Sequence, residues 1–179
     1  ISVVERVVTT VGPFVVKSHV SAPGGFFRAE AAGLTALARS GASLRVPTVV
    51  AVRDEPPSLI VLADLGHGER STDFDEAVGR GLAELHRHGG ARYGFDVDTF
   101  CGLTRQPNAW ADSWVAFYGQ ARLSHQVALA SRAGLLTTSD RTRLESVIAR
   151  LHTFIDEPEE GPVLIHGDLW AGNLHVASN

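Results

Sequence analysis

Valines crowd the start of the chain at Val3, Val4, Val7, Val8 and Val11, followed by Phe14, Val15 and Val16, with polar residues interleaved. A β-branched run interrupted by Gly12-Pro13 predicts the two strands of a hairpin. Ser21-Ala22-Pro23-Gly24-Gly25 then reads as a loop. From residue 26 to about residue 40 the period changes. Phe27, Ala31, Leu34 and Ala38 fall on one helical face, and Gly41 stands where a left-handed residue would end the helix. Residues 46–52 and 59–62 are apolar runs separated by Glu55-Pro56-Pro57, and they predict two further strands. The expected order is β-β-α-β-β.

A polar, glycine-containing connector follows from Asp64 to Thr72, and beyond it the pattern is mostly helical. Phe74, Val78, Leu82 and Leu85 form one stripe of a helix ending near Gly89-Gly90. Trp110, Trp114, Phe117 and Ala121 form another, extending to Ala133. Thr138 or Ser139 is placed to cap a third helix carrying Leu144, Ile148, Leu151 and Ile155. Pro162-Val163-Leu164-Ile165 and Leu174-His175-Val176 read as short strands on either side of a polar loop. The expected class is therefore α+β. Residues 1–65 form a small lobe built on an antiparallel sheet, and residues 66–179 a mainly helical lobe.

The polar loop carries the chemistry. His166-Gly167-Asp168-Leu169-Trp170-Ala171-Gly172-Asn173 matches the kinase catalytic-loop pattern H-R-D-L-x-x-x-N, except that Gly167 replaces the arginine. In such a loop an Asp takes the proton of an attacking hydroxyl, and an Asn five residues later holds magnesium on the nucleotide phosphates. The plainer alternative is a tight turn, with Asp168 capping backbone amides and Asn173 in a left-handed conformation. The complete octet between two predicted strands favours the kinase reading, with ATP and Mg2+ as the expected nucleotide and metal, and with it a two-lobed, protein-kinase-like fold.

Upstream residues fit the same chemistry. Phe14-Val15-Val16-Lys17 resembles the V-A-I-K strand whose lysine holds the nucleotide phosphates, and Glu30 lies in the following helix, where a carboxylate would steady it. Taken singly, Lys17 reads equally as a strand-end lysine reaching water and Glu30 as a surface charge. Glu5 is a rival partner for Lys17. The backbones of Ala63 and Leu65, at the start of the connector, are the expected adenine contacts, although an ordinary strand end has the same sequence. His166 is expected to be structural, orienting the loop through a backbone carbonyl, and His86 and His88 suit a helix C-terminus. Trp170 either stacks on a sugar face or packs against a neighbouring helix, and the sequence leaves both open.

Composition narrows the setting. The chain has 179 residues, 44% of them apolar, and a net charge of −4. This is globular material with no apolar run long enough to cross a bilayer and no basic footprint for nucleic acid or anionic membrane. The start does not read as a signal peptide, since Glu5 and Arg6 interrupt it. The single cysteine, Cys101, lies in a stretch expected to be buried and has no redox role; a cytoplasmic location is expected. There is no methionine, and the chain stops shortly after the loop, so it is expected to be part of a longer enzyme. A glycine-rich phosphate loop would then precede Ile1, and a second metal-binding Asp would follow Val176.

These residues together resemble the fructosamine kinases (ketosamine 3-kinases), within the aminoglycoside-phosphotransferase-like group. His166–Asn173 is close to that family's HGDLW-x-GN, and residues 27–34 resemble its helix motif. Arg45-Val46-Pro47, Leu82-Ala83-Glu84-Leu85-His86, Tyr93-Gly94-Phe95, Gln106-Pro107-Asn108-Ala109-Trp110 and residues 114–118 are also similar. The resemblance implies ATP-dependent phosphorylation of the sugar 3-hydroxyl of a ketosamine, free or protein-bound. The unstable product then releases the amine, which is a deglycating repair. It further implies that Asp168 is the catalytic base, Asn173 a magnesium ligand, Lys17 the phosphate-holding cation positioned by Glu30, and Trp170 a substrate contact. The rivals are an aminoglycoside-type phosphotransferase and a non-catalytic pseudokinase that binds nucleotide. Aminoglycosides are polycations that favour an acidic pocket, whereas Glu69, Asp73, Asp75 and the later acids are dispersed, and aminoglycoside kinases usually carry His where this chain has Trp170.

Overall fold

The computed structural model describes residues 2–178. A hairpin of β1 (Val3–Thr9) and β2 (Gly12–His19) leads into helix α1 (Phe26–Arg39), then β3 (Val49–Arg53) and β4 (Ser58–Ala63). The four strands form one antiparallel sheet in the order β1-β2-β4-β3. The predicted β-β-α-β-β order stands. Its hairpin turn lies at Thr10-Val11, and Gly12-Pro13 opens β2 rather than separating the strands. Gly12 takes a φ of 126°, a conformation costly for any other residue.

Alternation along β2 and β4 sends Val15, Ile60 and Leu62 to one face of the sheet. There they meet the apolar stripe of α1, in which Phe27 is fully buried and Ala31 and Leu34 pack against the same cluster. Lys17 lies two residues beyond Val15 and so emerges on the face that carries α1. Gly41, at a φ of 72°, follows the helix end as expected.

The contacts divide the chain into two compact units. One runs to His88 and takes in the segment from Leu164 onward; the other is Gly89–Val163. The first unit contains the sheet, α1, α2 (Phe74–His86) and the loop at 166–173. Leu85 is buried in α2, and Gly81 is the close contact of Leu44, whose side chain would lie 2.5 Å from an added Cβ.

The second unit holds a hairpin, β5 (Thr99–Cys101) and β6 (Thr104–Gln106), that the apolar pattern does not predict because each strand has only three residues. Cys101 is exposed, not buried, because it ends β5 beside the turn. A helical run then passes through α3 (Trp114–Phe117), a π-helical segment (Tyr118–Ser124) and α4 (His125–Arg132). Trp110 lies outside it, since Ser113 caps α3 by accepting the Ala116 N–H. Thr137 caps α5 (Thr138–Ala149) in a capping box with Asp140, one residue ahead of the expected position. Asn108, buried, ties this unit together. Its amide donates to the Val97 carbonyl and to Thr99 Oγ1, and its Oδ1 accepts from Arg122, which also donates to the Pro107 carbonyl.

The strands expected around the loop are replaced by extended chain. Val163 makes an isolated bridge to Gly89, and residues 174–178 hydrogen-bond to the connector at scattered points rather than along a ladder.

Candidate functional site

The loop at 166–173 is shaped by one glycine, one histidine and one asparagine. Gly167 has a φ of 82°, in the left-handed region where the arginine of the kinase pattern would be strained. His166 does orient the loop, but through an amide rather than a carbonyl: its Nδ1 accepts the Asp168 N–H at 3.3 Å. That acceptor role leaves the ring proton on Nε2. The chain turns through a short 3-10 stretch, Ala171–Asn173, which brings the Asn173 side chain back to Asp168. Asn173 Nδ2 donates to the Asp168 backbone carbonyl at 2.7 Å and to its carboxylate at 3.1 Å. A carboxylate only accepts, so the NH2 group must face it and Oδ1 is turned away. Asp168 is exposed, with a carboxylate oriented by this contact and open to an incoming hydroxyl.

Trp170 is 62% exposed. It packs against its own loop. The indole lies across Gly172, where an added Cβ would come within 2.3 Å of the ring. It also lines a cleft of about 420 Å³ with Leu169, Leu174, Val176, Phe74 and Arg70. The guanidinium of Arg70 stands 4.6 Å above the Phe74 ring and pairs with Asp75.

On the sheet, Lys17 Nζ donates to Glu30 Oε1 at 2.6 Å, and both side chains are about three-quarters withdrawn from water. Glu5 is not the partner. It is paired with Val16 in the β1–β2 register and therefore points to the opposite face.

The connector backbone is engaged. Ala63 donates its N–H to the Thr48 carbonyl at 2.8 Å, and the Leu65 carbonyl accepts the Ser178 N–H at 2.9 Å. Gly68 donates to the Val176 carbonyl at 2.8 Å, and His175 Nε2 donates to the Gly66 carbonyl. The approach is close enough to demand glycine: a Cβ on Gly68 would lie 2.3 Å from the Ala177 carbonyl oxygen. Asp64 fixes the near end, accepting from Arg6 at 2.5 Å and from the Gly66 N–H at 2.9 Å. The Arg6 hydrogen bond, then the Gly66 amide, hold its pKa below the ordinary carboxylate value.

Asp168, Trp170 and Asn173 thus share one loop, Lys17 and Glu30 share one ion pair, and Ala63 and Leu65 lie in the same compact unit as both. Sequence reasoning missed Gly172, Arg70 and Asp75, and it took Phe74 simply for a core position. The signal for Gly172 was its place two residues after a large aromatic; nothing in the spacing marked the Arg70–Asp75 pair. Among the described residues no cluster of three or more His, Cys, Asp or Glu side chains forms a ready metal cage. The Asn173 amide oxygen, turned away from Asp168, is a hard donor that suits magnesium of the kind that takes few protein ligands and completes its shell from substrate phosphates. No helix among the described residues is long and apolar enough to cross a membrane.

Comparison with known proteins places the chain. A protein of Synechocystis sp. named probable ketoamine kinase is 37% identical over 150 residues, covering 82% of this chain and 49% of its own. The protein-ribulosamine 3-kinase, chloroplastic, of Arabidopsis thaliana is 33% identical over 175 residues, 96% of this chain and 53% of its own. A Haemophilus somnus structure solved as a candidate fructosamine-3-kinase superposes with a TM-score of 0.81 at 26% identity, over 99% of this chain and 59% of that one. The kinase-like α+β fold is thereby shared, and the chain spans about half the length of the curated relatives it matches. The family profile described as fructosamine kinase matches residues 1–179, and the chain belongs to the fructosamine kinase family.

Proposed function

We propose that this chain carries the catalytic loop of an ATP- and magnesium-dependent ketosamine kinase that phosphorylates the sugar 3-hydroxyl and so initiates deglycation. The observation that carries the reading is the Asp168–Asn173 contact, which orients an exposed carboxylate and leaves the Asn173 amide oxygen available.

The reaction needs little covalent work from the protein. The sugar oxygen forms a bond to the γ-phosphorus as the bond to the β,γ-bridging oxygen breaks. ADP leaves, and the hydroxyl proton passes to the Asp168 carboxylate. Lys17, held by Glu30, places a fixed positive charge for the nucleotide phosphates. Asn173 Oδ1 would hold magnesium, which would supply positive charge where the phosphates gather it. Ala63 and Leu65 are the backbone positions proposed to meet adenine, with a lobe boundary near residue 65. The phosphorylated ketosamine then decays and frees the amine. The cytoplasm suits a protein whose single cysteine is exposed.

ATP consumption by the full-length protein with magnesium, comparing fructosamine and ribulosamine substrates with kanamycin, tests the reading. Turnover with a ketosamine alone is expected. Turnover with kanamycin alone would move the chain to the aminoglycoside kinases, and ATP binding without any turnover would make it a pseudokinase.

A further inference from the structure

The cleft beside Trp170 is not needed for the chemistry at Asp168, yet it opens directly from the same loop. One wall comes from the catalytic loop and the chain leaving it, Leu169, Leu174 and Val176; the other is Phe74 at the start of α2. Its charged lining residues, Arg70 and Asp75, are paired to each other, and the Arg70 guanidinium is further occupied by the Phe74 ring. The lining is thus apolar in surface and neutral in charge. A ketosamine has two ends, a polyhydroxylated sugar and the substituent on nitrogen. With the sugar hydroxyl at Asp168 and the sugar ring near Trp170, the second end is brought to the cleft that Trp170 also lines.

Resting on the ketosamine-kinase reading, we infer that this cleft receives the nitrogen substituent of the substrate and selects ketosamines whose amine carries an uncharged aliphatic stem. The side chain of a glycated lysyl residue has such a stem. An apolar wall gains from each methylene it takes out of water, roughly fourfold in affinity for full burial. A terminal ammonium inside the cleft would have to share Asp75, the carboxylate of the lining, with the Arg70 guanidinium already paired to it. The same lining disfavours polycationic acceptors.

The test uses the full-length protein and ketosamines made from ethylamine, butylamine and hexylamine, plus one with an ammonium at the end of a six-carbon chain. KM from phosphorylation and Kd from calorimetry are both measured. The expected result is a stepwise fall in both constants along the alkyl series, by roughly two- to fourfold per methylene, and weaker binding of the ammonium-ended compound than of its hexyl match. Phe74→Ala and, from the opposite wall, Leu174→Ala should each flatten that slope, with folding checked by melting temperature. Constants that do not depend on chain length, or a slope untouched by both substitutions, would overturn the inference while leaving the kinase reading in place. Binding with the expected slope but without phosphorylation would sink the kinase reading and keep the cleft.

Discussion

The indole of Trp170 lies across the α-carbon of Gly172, so near that a Cβ built on Gly172 would sit 2.3 to 2.7 Å from the Cη2, Cζ2 and Cζ3 atoms of the ring. Gly172 is not among the glycines with positive φ, so the constraint is the ring and not the backbone. Gly172→Ala should therefore fold normally but push the indole off its seat. Misplacing a positioning group by about 1 Å can cost up to roughly 100-fold, and the loss should appear in KM for the ketosamine more than in KM for ATP. Steady-state kinetics with each substrate varied in turn would show it; unchanged constants would mean that Trp170 does not contact the acceptor.

Lys17 and Glu30 illustrate a second kind of dependence, since the carboxylate acts only through the amine it holds at 2.6 Å. Lys17→Met should lower kcat/KM by roughly 100- to 1,000-fold, the size of a lost preorganised charge at the phosphates. Glu30→Gln should cost roughly tenfold, near the worth of one hydrogen bond to a charged group. The double variant should be no worse than Lys17→Met, because the two residues act as a unit. Additive losses in a double-mutant cycle would show that Glu30 has a separate role.

Asp168→Asn keeps the size of the side chain and removes the proton acceptor. Turnover should fall by roughly 100- to 10,000-fold, the usual worth of general acid–base catalysis. ATP binding, followed by calorimetry, should stay within a few-fold of the parent. An active Asp168→Asn variant would return the loop to the status of a structural turn.

How far these features were legible depends on whether their cause is local. The catalytic octet, the Lys17 strand and the Glu30 helix each follow from residues close together in sequence, and the order of strands and helix along the small lobe follows from alternation and helical period. The pairing of Lys17 with Glu30 rather than Glu5 was undecided until the β1–β2 register placed Glu5 on the other face. The strands expected around the loop did not form, because residues 174–178 bond to a connector some hundred residues earlier, as in the Ser178-to-Leu65 contact. The helix read from Trp110 fails at its start for a local reason that hydrophobic period alone does not see: Ser113 supplies the cap. Cys101, expected to be buried, is exposed because it ends β5 beside the turn, and a three-residue strand is too short to leave a periodic trace that would have shown this. The cleft depends on Phe74 and Leu174 lining one cavity from segments a hundred residues apart, and no spacing within either segment encodes that.

Glu157 offers a test of the second unit that does not involve activity. Its carboxylate accepts from the Ser113 hydroxyl and from the backbone N–H groups of Trp114 and Val115, closing the first turn of α3. The Ser113 hydrogen bond, with the two amides, lowers its pKa below the ordinary 4.5. A carboxylate with a depressed folded-state pKa binds protons less tightly when folded than when unfolded. Its stabilisation is therefore complete above about pH 4.5 and fades as the pH falls through the folded value. The melting temperature of the parent should drop on acidification in that window. Glu157→Gln, which cannot lose a charge there, should start lower at neutral pH and fall less steeply. Parallel melting curves for the two proteins between neutral pH and pH 3 would show that the cap contributes no proton-linked stability.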